Sequence, residues 1–313
     1  MPLVPRGVFS QTAVKPRRVG LLSSAAPLTD TSDMVVGLTV GFSKRGYVVG
    51  RSLLYERRAA EARPERLPGL VDDLKSATEL IITQSYAAAR VVKERSNVPV
   101  VAITGADPIA TGLIDSMAHP GGTVTGVGEV AAELSAKRLE VLKDTFPSLR
   151  KIAMLWNADD LGMTLRYRSA EAAARTLGFE IQPLGVREPE DFAVAFAAME
   201  RDRPDAILMV TDALTALNRK RVFEFATQRK LPAIYEYEFL VRDGGLMSYG
   251  PDMREVYDRA ADLADRILRG ARPADLPFEQ PIHFRLVVNK KTLEALGLTI
   301  PAAMLMRTDE VID

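Results

Sequence analysis

The chain reads as an α/β protein of two Rossmann-like lobes, each a parallel sheet flanked by helices, joined by a three-segment hinge. Three observations predict this. The sequence repeats itself: Arg17-Arg18-Val19-Gly20-Leu21-Leu22-Ser23-Ser24 returns as Arg150-Lys151-Ile152-Ala153-Met154-Leu155-Trp156-Asn157, and Asn97-Val98-Pro99 returns as Lys230-Leu231-Pro232, both 133 positions later. Apolar runs of strand length alternate with segments of helical period, which specifies a parallel sheet covered on both faces. Glycine- and proline-rich breaks interrupt that alternation where the chain can cross between lobes. A β/α lobe built twice implies a cleft between the copies.

The elements follow in order. Residues 19–22 form a buried strand closed by Ser23-Ser24-Ala25-Ala26-Pro27. Residues 30–45 carry Met34, Val35, Leu38 and Phe42 at helical spacing, with Gly46 as C-cap. A strand is expected at Val48-Val49, then alternating elements over 67–75, 79–83, 87–94 and 98–104. The second lobe repeats the alternation over 152–155, 165–177, 180–184, 192–199, 206–210, 218–229 and 233–235, with further helices over 131–145 and 253–268. The breaks are His119-Pro120-Gly121-Gly122, Asp243-Gly244-Gly245, and the stretch between Pro273 and Pro277. They set crossings near 124–127, 246–250 and 278–282. Lobe one is then 17–124 with 250–278, and lobe two 127–247 with 281–313.

At 313 residues the chain suits two domains of ordinary size. Hydrophobic residues make up 47% and charged residues 26%, with no apolar run near the ~18 residues of a spanning helix. Lys plus Arg and Asp plus Glu are 41 each, so the long-range positive field of nucleic-acid binders is missing. With no cysteine, disulfides, thiolate nucleophiles and cysteine zinc sites are excluded. In the 1–16 tail, Leu3-Val4-Pro5-Arg6-Gly7 reads as a protease-cleavage linker added for expression, and residues 11–16 as the polar start of a mature chain. A secretory signal already removed is the expectation there.

Gly126-Val127-Gly128-Glu129-Val130-Ala131 matches the dinucleotide fingerprint. Its preceding strand is short and threonine-rich, and the next strand ends about thirty residues on rather than about twenty. A hinge turn is the better reading. His119 and His283, the only histidines, have no partnered acid nearby in sequence, and Ser24 and Ser85 lie outside a nucleophile elbow. Neither a metal ion nor a cofactor is expected.

Ligands of open parallel sheets sit beyond the carboxyl ends of the strands, where loops converge and helix N-termini offer free N–H donors. From lobe one this selects Ser23 and Ser24, then Gln84, Ser85 and Tyr86, then Gly105 and Asp107, with Gly128 at the first crossing. From lobe two it selects Trp156, Asn157 and Asp159, then Thr211 and Asp212, then Tyr235, Glu236 and Tyr237. Trp156 and the tyrosines suit stacking on a planar or apolar ligand, while Asp107, Asp212 and Glu236 suit a cation such as an amino group. Asp107 and Asp212 also have the plainer reading of helix caps.

Five segments in order resemble one family, the tryptophan/tyrosine-type ABC-transporter substrate-binding proteins of type I periplasmic-binding-protein fold. They are Pro120-Gly121-Gly122-Thr123-Val124-Thr125-Gly126-Val127, Leu134-Ser135-Ala136-Lys137-Arg138-Leu139-Glu140, Gly244-Gly245-Leu246-Met247-Ser248-Tyr249-Gly250, Ala274-Asp275-Leu276-Pro277-Phe278-Glu279-Gln280-Pro281 and Ala295-Leu296-Gly297-Leu298-Thr299-Ile300-Pro301. The resemblance implies a periplasmic, monomeric, non-enzymatic receptor that captures a small molecule between its lobes and delivers it to an ABC permease. It departs at the pocket, where a Trp-Arg pair of many members becomes Tyr237-Glu238. An arginine able to clamp a carboxylate is therefore missing from that loop. The expected ligand is polar and amine-bearing, with an apolar or aromatic part. The rivals are a nucleotide-using or acid–base enzyme and the effector domain of a regulator. The latter needs a helix-turn-helix, which the short N-terminal tail cannot hold.

Overall fold

A computed structural model describes residues 15–128 and 131–313. The linker reading of residues 3–7 and the centre of the fingerprint, Glu129-Val130, lie outside the described residues.

The first sheet holds β1 (Arg17–Ser23), β2 (Leu53–Ala59), β3 (Leu80–Thr83), β4 (Val100–Thr104) and β5 (Val124–Gly128). All are parallel, in the order β2-β1-β3-β4-β5. Around it stand α1 (Asp33–Lys44), α2 (Leu67–Lys75) and α3 (Tyr86–Arg95). The second lobe begins with α4 (Ala131–Thr145), β6 (Lys151–Asn157), α5 (Leu161–Leu177), β7 (Glu180–Val186), α6 (Asp191–Arg201) and β8 (Ala206–Met209). It continues with α7 (Ala213–Leu217), α8 (Arg219–Arg229), β9 (Ala233–Tyr235), α9 (Glu238–Arg242) and β10 (Met247–Pro251). After α10 (Met253–Leu268) come β11 (Phe284–Asn289), α11 (Lys290–Leu296), α12 (Ala302–Leu305) and β12 (Glu310–Ile312).

The second sheet runs β12-β11-β10-β9-β8-β6-β7. Its part β7-β6-β8-β9-β10 is parallel and has the same order as the first sheet, so the sequence repeat is a repeat of topology. Beyond it, β11 pairs antiparallel with β10 and carries β12 at the edge, an extension the alternation did not disclose.

Each sheet is covered on both faces. Leu38 and Phe42 of α1 and Ala260 and Leu263 of α10 bury one face of the first sheet against Leu80 and Val101. The other face, under α2 and α3, joins a continuous apolar cluster that reaches Ile152 and Met154 of β6 and Ala170 of α5. Phe192 of α6 and Val222 of α8 close the far face of the second sheet. Such burial of whole apolar faces is the main source of fold stability.

One expectation shifts. The strand placed at Val48-Val49 is β2, starting at Leu53; Val49 makes only an isolated bridge. As an edge strand it keeps Tyr55, Glu56, Arg57 and Arg58 half-buried, with Glu56 paired to Arg18 and Arg57 to Asp30. That charge hides its apolar pattern. β5 pairs with β4 through Gly128, and β10 with β11 through Pro251. Asp252 N–H donates to the His283 carbonyl, joining the start of α10 to the segment before β11. Gly126 and Gly128 are strand residues, and a Cβ at Gly126 would overlap the Ala102 carbonyl. Those glycines serve close strand packing.

Candidate functional site

A cleft of about 1330 Å³ lies between the two sheets at the carboxyl ends of their strands. Its floor is built from the duplicated positions. In lobe one, Ser24 follows β1 and Ser85 caps α3 after β3; their hydroxyls share a 2.6 Å hydrogen bond, and Ser85 Oγ accepts from Ala88 N–H. In lobe two the equivalent pair is Asn157 at the end of β6 and Asp212 capping α7 after β8. Asn157 Nδ2 donates to Asp212 Oδ2 at 2.6 Å, and Asp212 Oδ1 accepts from Thr215 N–H. Both pairs sit where strand order reverses, between β1 and β3 and between β6 and β8. That is where loops part to admit a ligand.

Twelve of the sixteen residues selected from the sequence line this cleft. Ser23, Ser24, Gln84, Ser85, Tyr86 and Gly105 do so from lobe one, with Gly128 at the end of β5. Gln84 is held by donating to Tyr257 Oη on α10 at 2.9 Å. Asn157, Asp159, Thr211, Asp212 and Tyr237 line it from lobe two. Asp159 is exposed and paired to Arg187, whereas the Thr211 hydroxyl is buried with no protein partner among the described residues. A buried unpaired hydroxyl facing a cleft is a natural hydrogen-bond site for a ligand.

Four selected residues stand apart from the cleft lining. Asp107 is exposed and accepts from Ile109 and Ala110 N–H, the capping role. Trp156 shares its strand face with Ile152 and Met154, and stacks on Tyr167 with ring centroids 3.8 Å apart. Tyr235 is buried edge-on against Phe223, and burial pushes its phenol pKa up. Glu236 is only 1% exposed and its carboxylate is committed: it pairs with Arg138 Nη1 at 3.1 Å and Arg166 Nη2 at 2.6 Å, and accepts from Thr211 N–H. Glu236 is therefore an anchor for arginines rather than an open acceptor.

Arg166 changes the reading of the pocket. The loop from Tyr235 to Phe239 lacks an arginine, but α5 supplies one to the cleft from behind. It lies on the inward stripe Met163, Arg166, Ala170, Ala174 and is fixed by Glu236, so the guanidinium enters a desolvated site with its geometry set. The signal was an arginine at an apolar position of a helical period.

Asp160, also missed, caps α5 by accepting from Met163 N–H and lines the cleft. Burial raises the pKa of both Asp160 and Asp212 above the ordinary value of 3.8, and the two charges oppose one another at Asp212. Backbone N–H donors at each helix start pull the other way without prevailing. Among the charged groups that line the cleft, Arg166 is a cation fixed by a buried partner, and Asp160 and Asp212 are carboxyls that gain by meeting a cation.

The lobes touch across the floor. A Cβ on Gly105 would overlap Arg166 Nη1 and lie 2.9 Å from Tyr237 Oη, and one on Gly162 would come 2.5 Å from Ala106 Cβ. Glycine at these two places is what lets the lobes approach.

This geometry can be set beside known proteins. Residues 29–312 match the family model of ABC transporter substrate binding proteins. The chain belongs to that family. Its members are substrate-binding transport proteins and not enzymes. The chain is 26% identical over 228 residues to a tyrosine-binding protein of Clostridioides difficile; the match covers 73% of this chain and 65% of that protein's length. An ABC domain from Streptococcus pneumonia in complex with L-Trp shares the fold with a TM-score of 0.86 at 23% identity, covering 95% of this chain and 100% of the other. A ligand-free, open substrate-binding protein from Clostridium difficile gives 0.67 at 21% identity, over 95% and 99% of the two chains. The fold is that of type I periplasmic binding proteins. Among the described residues no helix is long and apolar enough to cross a membrane.

Proposed function

We propose that this chain is a periplasmic receptor that captures an α-amino acid with a large apolar or aromatic side chain and presents it to an ABC permease. The carrying observation is the opposed pair of charges in one cleft: Arg166, anchored by Glu236, faces a carboxylate, while Asp160 and Asp212 face an ammonium group. Tyr86, Tyr237 and Phe239 line the same space and suit the side chain. The relatives whose names carry tyrosine and L-Trp support the same class. The receptor acts as a monomer. It has lobes of 17–128 with 252–279 and 131–251 with 280–313, hinged where the chain crosses. Each lobe contributes part of the contacts, so ligand favours the closed arrangement by its differential affinity, and the permease reads that state.

A thermal-shift screen of the twenty L-amino acids tests this. A true ligand at a hundred times its dissociation constant stabilises the fold by about 2.7 kcal/mol. Hits are expected among Trp, Tyr, Phe and Leu; Arg166→Ala should erase the shift and Asp212→Asn should reduce it. The reading is wrong if shifts appear only with sugars or nucleotides.

Affinity should also depend on pH with a defined sign. An ammonium ligand needs Asp160 and Asp212 ionised, and their pKa values are raised by burial. Acidification therefore weakens binding from a higher pH than an ordinary aspartate would, by up to about tenfold per pH unit for each carboxyl that must ionise. Calorimetry from pH 7 down to 4.5 measures the slope, and Asp212→Asn should flatten it. A pH-independent affinity in the wild type would remove these carboxyls from the site.

A further inference from the structure

Four large apolar residues are exposed at the mouth of the cleft. Val36 and Val40 lie one turn apart on α1 in lobe one, 47% and 52% exposed; Leu161 and Leu217 stand on the lobe-two wall, 51% and 40% exposed. Single exposed apolar side chains need no explanation, but four lining one opening do. Arg166, Asp212 and Thr211 belong to the floor, and charged side chains such as Lys44 and Arg219 line the cleft beside the apolar four.

The cleft is also roomy. Its volume of about 1330 Å³ exceeds the ~300–1,000 Å³ typical of small-molecule pockets. The lobes already meet at Gly105–Arg166 and Ala106–Gly162, so this space is not a gap that further approach at those points would remove.

We propose that the ligand carries an extended apolar arm, its head held on the floor and its arm running out between Val36 and Val40 on one side and Leu161 and Leu217 on the other. This rests on the amino-acid reading of the floor. The substrate class is then an amino acid with an apolar substituent longer than a single natural side chain.

Calorimetric titration with 2-aminohexanoic, 2-aminooctanoic and 2-aminodecanoic acids separates arm from head. If the rim is a subsite, affinity continues to rise by up to about fourfold per methylene, or up to about 250-fold from six to ten carbons. Val36→Asp and Leu217→Asp, both at exposed positions, should then abolish the gain while leaving 2-aminohexanoic acid unchanged. Binding that stops improving or falls beyond six carbons overturns the arm and leaves the head intact. Decanoic acid and decylamine binding as tightly as 2-aminodecanoic acid, with the same loss in the rim variants, would uphold the arm and overturn the amino-acid head. No binding by any of these probes overturns both.

Discussion

Glu236→Gln will lower the stability of the unliganded protein by about 3–5 kcal/mol. The carboxylate stands between two arginines, and all three side chains are 1% exposed. Arg138 also donates to the Tyr249 carbonyl, and Thr211 N–H to Glu236, so one acid ties α4, α5, the end of β8 and β10 together. Neutralising it removes a buried counter-charge that two guanidinium groups share. Urea unfolding of wild type and variant measures the difference. A change below 1 kcal/mol would mean that the arginines are compensated elsewhere. Arg138→Met added to Glu236→Gln should recover part of the loss by removing one of the two buried guanidinium charges.

Gly105→Ala will weaken ligand binding at least tenfold with little effect on the melting temperature of the unliganded chain. The added methyl would collide with Arg166 Nη1, and that guanidinium cannot swing aside while Glu236 holds it at 2.6 Å. The lobes must then part, which opens the floor but spares each core. Calorimetry reads the affinity, and small-angle scattering with saturating ligand reads the separation as a larger radius of gyration than wild type. Unchanged affinity would show that the cleft does not need this approach. Gly162→Ala, facing Ala106 Cβ, should act in the same direction.

Much of the architecture is legible because it is duplicated. The strand at Val19 and its copy at Ile152 are both inner strands, and the same order grows around each. Locating strand ends was enough to find Ser24, Ser85, Asn157 and Asp212, since topology alone puts those positions at the cleft. What stayed hidden depends on the direction of side chains. Trp156 is one residue from the end of β6, but strand parity turns it onto Tyr167 under α5. Asp160 was missed because the helix was started at Leu165, four residues late, which left its cap in the loop. Arg138 and Arg166 lie on inward stripes of α4 and α5, where Glu236, distant in sequence, comes to meet both charges. No local pattern announces such a three-way meeting. The antiparallel β11 and its neighbour β12 fall outside the repeat, so periodicity had no template for them.

The most direct test of the central claim is calorimetric titration with three indoles: L-tryptophan, tryptamine, which lacks the carboxylate, and indole-3-propionate, which lacks the amine. Tryptophan should bind, and each truncated compound should bind at least about a hundredfold more weakly, because it forfeits one charge-assisted contact of the amino-acid head. Arg166→Ala should erase the difference between tryptophan and tryptamine. Equal binding of all three would contradict the account, leaving the cleft an apolar slot with no recognition of an amino-acid head.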